Sequence, residues 1–265
     1  MNSQSHEVNP APDRRTAMKV ITHEDFKKVY THEPAAAPGR IEAILNAIRD
    51  EVEFEEAYPA GGDDIAAVHT KSHVDRVSRM GLYNISILAA GASIQAAIAG
   101  FEEPCFGLVR PPGHHASADS SWGFCYFNNM AVAIEHLKRQ GRIRTAYVLD
   151  FDMHYGDGTV NILKEKGYVA VHNPTSDDRR RYLADVEADL NRATADVFAV
   201  SAGFDNHVQD WGGVLRTEDY QAMGRMVRDR AKALNAGCFG ILEGGYNHEV
   251  LGINVRAFLR GLRGL

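Results

Sequence analysis

At 265 residues, 45% hydrophobic and 24% charged, the chain has the make-up of a globular protein and the length for one large α/β domain. A net charge of −6 and a pI ≈ 6.0 leave no basic footprint for nucleic acid, and no run of about 18 apolar residues is present to span a membrane. Cys105, Cys125 and Cys238 are odd in number and lack metal-type spacing, so they read as reduced thiols in a cytoplasmic setting.

Residues 1–16 are polar, contain proline and lack an apolar signal core; they read as a flexible N-terminal arm before a single domain over 17–265. Met18 to Ile21 reads as a first short strand. Pro38 opens a helix over about Gly39 to Arg49, with Ile41, Ile44, Leu45 and Ile48 on one face. Asp63 and Asp64 are placed to cap a short helix carrying Ile65 and Val68, and a second short helix follows Lys71. Leu82 to Ala99 is Ala-rich and interrupted by Asn84, Ser86, Ser93 and Gln95, the pattern of a buried core helix. An alternation then sets in. A strand ends at Val109, a helix runs from about Asn129 to Gln140, and a strand ends at Asp150. A helix near Thr159 to Lys166 precedes a strand Val169 to Val171, and a helix near Leu183 to Ala193 precedes a strand ending at Ser201. A helix over about Thr217 to Leu234, a strand Phe239 to Leu242 and a closing helix Val250 to Leu262 follow. Strand followed by helix, repeated, predicts a three-layer α/β/α domain around a mostly parallel sheet, with the ligand site beyond the carboxyl ends of the strands.

The residues after those strands are chemically competent. The run Asp150-Phe151-Asp152-Met153-His154 ends a buried strand, and alternation lets Asp152 and His154 point the same way. Carboxylate plus imidazole suits a divalent ion such as zinc, and Asp205, after the strand ending at Ser201, is the best candidate for a third ligand. Strand ends also carry Asp for turn and capping reasons, so this segment alone leaves both readings open. The turn Arg110-Pro111-Pro112-Gly113-His114-His115 follows another strand, and Glu243-Gly244-Gly245-Tyr246 a fourth. A tandem histidine pair on a rigid turn is suited to proton transfer near neutral pH, with Asp150 and Asp157 as the partners that would fix the tautomers. Tyr246 offers a phenol to a developing oxyanion. Gly-x-Ser-x-Gly and Walker-type loops are absent, which disfavours covalent serine catalysis and nucleotide hydrolysis.

These motifs resemble the histone deacetylase and acetylpolyamine amidohydrolase superfamily, which shares the arginase-like α/β fold. The resemblance spans about Val20 to the C-terminus. It is carried by Arg110 to Ala116, Gly123-Phe124-Cys125-Tyr126-Phe127-Asn128-Asn129, Asp150 to His154 with Gly156 to Thr159, Ser201 to Asp205, and Glu243 to Tyr246. It implies zinc (ferrous iron is the alternative) held by Asp152, His154 and Asp205. It implies His115 as main general base and acid, and His114, acting mainly electrostatically, with Asp150 and Asp157 behind the pair. Tyr246 would hydrogen-bond the substrate carbonyl, the Gly123 carbonyl would receive the scissile amide N–H, and Phe124 would wall the acyl tunnel. Trp122, just before them, is a rim candidate on position alone. A potassium ion sits beside the zinc in the family.

The chain departs from the family in places. Tyr155 replaces a second histidine, and Ala170 stands where a potassium-site serine is usual. Only Ser78-Arg79-Met80-Gly81 remains of a longer rim loop that often carries an acid. The stretch from Asn173 to Tyr182 is polar and charged and reads as a solvated loop; Tyr182 is its one aromatic that could stand in for a second tunnel wall. The expected reaction is zinc-dependent hydrolysis of linear N-acyl amides, on acetylated polyamines or similar small amines, with acyl-lysine as the alternative substrate. Guanidine hydrolases of the same fold are a weaker alternative, and a non-catalytic zinc protein that binds acylated ligands is the alternative of another class. A homo-oligomer in which a neighbour completes the shortened rim stays open.

Overall fold

A computed structural model describes residues 17–265; the expected N-terminal arm lies outside the described residues. Among the described residues seven strands form one sheet: β1 (Met18–Thr22), β2 (Val52–Glu56), β3 (Cys105–Gly107), β4 (Ala146–Asp150), β5 (Val169–His172), β6 (Val197–Ala202) and β7 (Gly237–Leu242), in the order β2-β1-β3-β7-β6-β4-β5. Every pairing is parallel, so the sheet is wholly rather than mostly parallel. The strands β4, β6 and β7 are buried at every residue, as apolar strands covered on both faces must be.

The helices are α1 (Arg40–Ile48), α2 (Gly62–Ala66), α3 (Lys71–Arg79), α4 (Tyr83–Ala99), α5 (Asn129–Arg139), α6 (Asp157–Leu163), α7 (Arg179–Arg192), α8 (Thr217–Ala233) and α9 (His248–Arg263). They pack in two groups: α1, α9, α8 and α7 adjoin in that order, and α4, α5, α2 and α6 form the other. Among the described residues no helix is long and apolar enough to cross a membrane.

The strand β2, the start of α7 and the setting of Tyr182 differ from expectation. The strand β2 was not expected, because three of the five residues of Val52-Glu53-Phe54-Glu55-Glu56 are acidic; it forms by pairing along β1, Met18 opposite Val52, at the sheet edge. The helix α7 begins at Arg179, within the stretch read as loop, because the Asp178 side chain accepts from Arg181 N–H and caps it. Tyr182 therefore turns inward: it is 1% exposed and its hydroxyl donates to the Phe151 carbonyl, so it is no tunnel wall.

From β4 the chain runs outward to β5 and returns across β4 to β6. The β4/β6 boundary is thus a topological switch point, where strand ends diverge and leave a crevice. Behind that crevice His69 is structural. His69 donates from Nδ1 to the Ser117 carbonyl at 3.0 Å and accepts Asn128 N–H at Nε2 at 2.9 Å, a pattern only the neutral ring satisfies. Burial and neighbouring His73 lower its pKa from 6.5 to about 3. The unfolded chain takes up this proton near 6.5 and the folded chain only near 3, so stability falls as pH drops below 6.5. Between pH 7 and pH 5 the loss from this group is about 2 kcal/mol. Denaturant unfolding at both pH values should show wild type losing that much more than His69→Gln; equal losses would reject the assignment.

Candidate active site

The crevice gathers ligands from two strand ends. The backbone after β4 stays beside β6, with Phe151 N–H donating to the Ser201 carbonyl, which brings Asp152 and His154 to Asp205. Candidate ligand atoms of these three residues all lie within 4.8 Å of one another. His154 Nδ1 is 3.0 Å from Asp152 Oδ1 and 3.2 Å from Asp205 Oδ2. The second oxygen of each carboxylate is held by backbone: Gly244 N–H donates to Asp152 Oδ2 at 2.8 Å, and Met153 N–H to Asp205 Oδ1 at 3.1 Å. Asp205 Oδ2 is buried and has no hydrogen-bond partner among the described residues. Glycine is required around the set. A Cβ on Gly203 would stand 2.0 Å from Asp152 Oδ2, and one on Gly244 would stand 2.5 Å from carboxylate oxygens of both Asp152 and Asp205.

The hydrogen bond to Asp152 and the Asp205 carboxylate beside it raise the His154 pKa to about 10. Burial and the charge of Asp152 push Asp205 up, to about 7. Two buried carboxylates and one imidazole aimed at a common point, with an orphaned oxygen, fit a divalent ion of the zinc type.

The tandem histidines stand beside this set. Gly113 and His114 N–H donate to Glu243 Oε2 at 2.7 and 3.2 Å, which ties the turn after β3 to the end of β7. Burial pushes the Glu243 carboxyl up to about 7. His114 Nδ1 lies 3.1 Å from Asp150 Oδ2, and His115 Nδ1 lies 2.7 Å from Asp157 Oδ1. Burial opposes a charge on His114, but Asp152 and Asp150 outweigh it and raise its pKa. His115 is lowered to about 4 by burial and by His114. Burial also opposes the Asp157 charge, yet hydrogen bonds from His115 and Trp122 hold its carboxyl below the usual range. His115 is therefore a neutral base whose Nδ1–H is committed to Asp157.

Above these groups lies a pocket of about 280 Å³, lined by Pro112, His114, His115, Trp122, Gly123, Phe124, His154, Trp211 and Tyr246. Gly123 has φ +59, and a Cβ there would stand 2.3 Å from His115 Cδ2, so the chain passes against the imidazole only as glycine. Phe124 takes φ +67, a conformation that costs a bulky residue on the order of 1–2 kcal/mol. It places the ring edge-on to Tyr246 at 5.9 Å. The Tyr246 ring stacks on Trp211 at 4.1 Å, and its backbone N–H, with that of Asn247, donates to Asp210. Buried Arg40 donates to the Glu243 and Gly245 carbonyls and stands 5.5 Å over the Tyr246 ring. Burial, then Asp152 and Asp205, raise the Tyr246 pKa, so the phenol keeps its proton.

All the expected site residues thus converge on one crevice: Asp152, His154 and Asp205 together, His114 and His115 beside them, Asp150 and Asp157 behind, and Gly123, Phe124 and Tyr246 as walls. Tyr155 instead lines a separate surface cleft with Lys164 and His172 beside β5. A larger cleft, about 680 Å³ between Phe101, Arg228 and Lys232, lies at the opposite ends of the strands, away from these groups. Trp211, Asp210, Arg40 and the Glu243 clamp were not read from the sequence. Glu243 carried a signal, an acid directly after an apolar strand; the others sit in segments with no motif.

The model of the histone deacetylase domain matches residues 79–177 and 168–262. A probable deacetylase of Methanothermobacter thermautotrophicus is 31% identical, covering 92% of this chain and 91% of its own. The acetylpolyamine amidohydrolase of Mycoplana ramosa is 29% identical over 69% of this chain and 64% of its own. In structure, the HDA15 HD domain superposes with a TM-score of 0.81 at 24% identity, covering 94% of this chain and 90% of that one.

Proposed function

The chain belongs to the histone deacetylase domain family, and from that premise we propose a zinc-dependent amidohydrolase that deacylates acetylated polyamines or similar small amines. The observation that carries this reading is the placement of Asp152, His154 and Asp205 within one crevice that also holds His115, its partner Asp157, and Tyr246. Zinc held by those three residues supplies a Lewis acid for the amide carbonyl and lowers the pKa of water beside it.

The chain's own groups do the rest. His115, with Nδ1–H fixed on Asp157, offers Nε2 to take a proton from the attacking water. Tyr246 donates its O–H to the oxygen on which negative charge gathers. The imidazolium, supported by Asp157, returns the proton to the departing amine. His114, held by Asp150, adds positive potential beneath the reacting centre. The Gly123 carbonyl is the acceptor for the scissile N–H, and Phe124 and Tyr246 confine the acyl chain.

The small-amine reading rests on the rim. The helices α3 and α4 are joined by a tight turn over 80–82, and no carboxylate from it lines the pocket to grip a peptide backbone. Acetate release from acetylputrescine and from an acetyl-lysine peptide, with zinc loaded, tests it. Turnover of the diamine at the higher kcat/KM is expected. Preference for the peptide would move the assignment to a protein deacylase, and zinc binding with silence on both would leave a ligand-binding protein.

A further inference from the structure

Trp122 makes two contacts that an ordinary rim residue has no use for. Its ring centroid lies 3.8 Å from that of His115 at an interplanar angle of 30°. Its Nε1–H donates to Asp157 Oδ2 at 2.9 Å, while His115 donates to the other oxygen of the same carboxylate at 2.7 Å. The two rings and the carboxylate therefore form a closed triangle in which each member fixes the other two. His115 also meets His114, ring centroids 4.0 Å apart. Two rings thus adjoin the imidazole while its Nδ1 is tied to Asp157, and both oppose the ring flip that would exchange Nδ1 and Nε2.

Asp157 needs such a hold. Its side chain keeps 36% of its exposure, so without the indole Oδ2 would face water and the carboxylate could turn. Trp122 itself is 56% exposed: one face lies on His115 and the other is open. An indole in that position removes water from the outer side of the histidine and replaces it with a fixed donor and a flat wall. The hydrogen bond and the stacking point to the same job.

We propose that Trp122 is a positioning residue for the deacylation: it locks the His115–Asp157 pair so that His115 presents Nε2 to the pocket in one tautomer and one orientation. The inference rests on the reading of His115 as the proton acceptor, and it is distinct from any role of the indole in gripping substrate.

The test uses the zinc-loaded full chain and two variants, Trp122→Phe, which keeps a ring on His115 and deletes the N–H donor, and Trp122→Leu, which deletes both. Long-range ¹⁵N spectra of the histidine rings read the His115 tautomer without any turnover. Wild type is expected to show one set of His115 signals with the proton on Nδ1, and Trp122→Phe a second or broadened set. On acetylputrescine, kcat should fall about tenfold in the Phe variant, the worth of one hydrogen bond, with KM within about twofold of wild type. Unchanged His115 signals with a loss confined to KM would overturn the proposal and make Trp122 a substrate wall. If wild type hydrolyses no acylated amine, the deacylase reading fails, and the ring spectra still decide the matter: a difference between wild type and Trp122→Phe supports the lock, and identity overturns it. Should Trp122→Leu fail to fold, the Phe variant carries the same decision.

Discussion

Tyr246→Phe is expected to lower turnover of an acetylated amine by about 100- to 1,000-fold, the range found when one oxyanion donor is removed. The substitution deletes a single O–H and leaves the rest of the residue's support intact. The ring still stacks on Trp211 and meets Phe124 edge-on, the backbone N–H still donates to Asp210, and Arg40 still holds the Gly245 carbonyl. Melting temperature and zinc content should therefore match wild type, and KM should move far less than kcat, because the donor is needed where charge develops rather than where substrate rests. A variant that turns over at near-wild-type rate would remove Tyr246 from the chemistry. Since the phenol's pKa is raised by burial and by Asp152 and Asp205, its loss should act as loss of a donor at every pH where the enzyme works.

His115→Ala is expected to cost about 100- to 10,000-fold in kcat, the usual contribution of a placed general base. The residue lies outside the Asp152, His154 and Asp205 set, so zinc stoichiometry should be unchanged, and that measurement separates loss of the base from loss of the metal. His114 cannot take over. Its Nδ1 faces Asp150 and its Nε2 lies 3.8 Å from Asp152, and against the effect of burial those carboxylates raise its pKa. Retention of more than about a tenth of wild-type kcat would show that another group accepts the proton.

The chemistry of this site was legible because it is written at strand ends. Asp150 closes β4, Asp205 follows β6 and Glu243 follows β7, so an apolar run followed by a polar residue marked each position. What the pattern could not supply is which strands adjoin. Nothing in the sequence of β3 and β7 says that they pair, and that pairing is what ties Gly113 to Glu243 and seats the histidines beside Asp152, His154 and Asp205. The strand β2 was missed for a related reason. Its residues Glu53, Glu55 and Glu56 are those of an edge, which needs only one partner and one modestly covered face. The inward turn of Tyr182 depends on Asp178 capping α7, a local signal that lay hidden in a run of charges. Stacking contacts such as Trp122 on His115 and Trp211 on Tyr246 have no periodicity at all, and Arg40 reaches its carbonyls across about 200 residues of chain.

The chain has only two tryptophans, and both stand half-exposed at the mouth of the same pocket, one on His115 and the other on Tyr246. Red-edge excitation therefore yields an emission spectrum that comes from the mouth of that pocket and from nowhere else in the molecule. Entry of a ligand, a change in the imidazole that quenches one indole, or loosening of the Asp210–Trp211 segment would each register in intrinsic fluorescence with no label attached. The same economy has a corollary for folding studies: a fluorescence unfolding curve of this protein reports on the surroundings of that mouth, and far-ultraviolet circular dichroism is the probe that follows its helices.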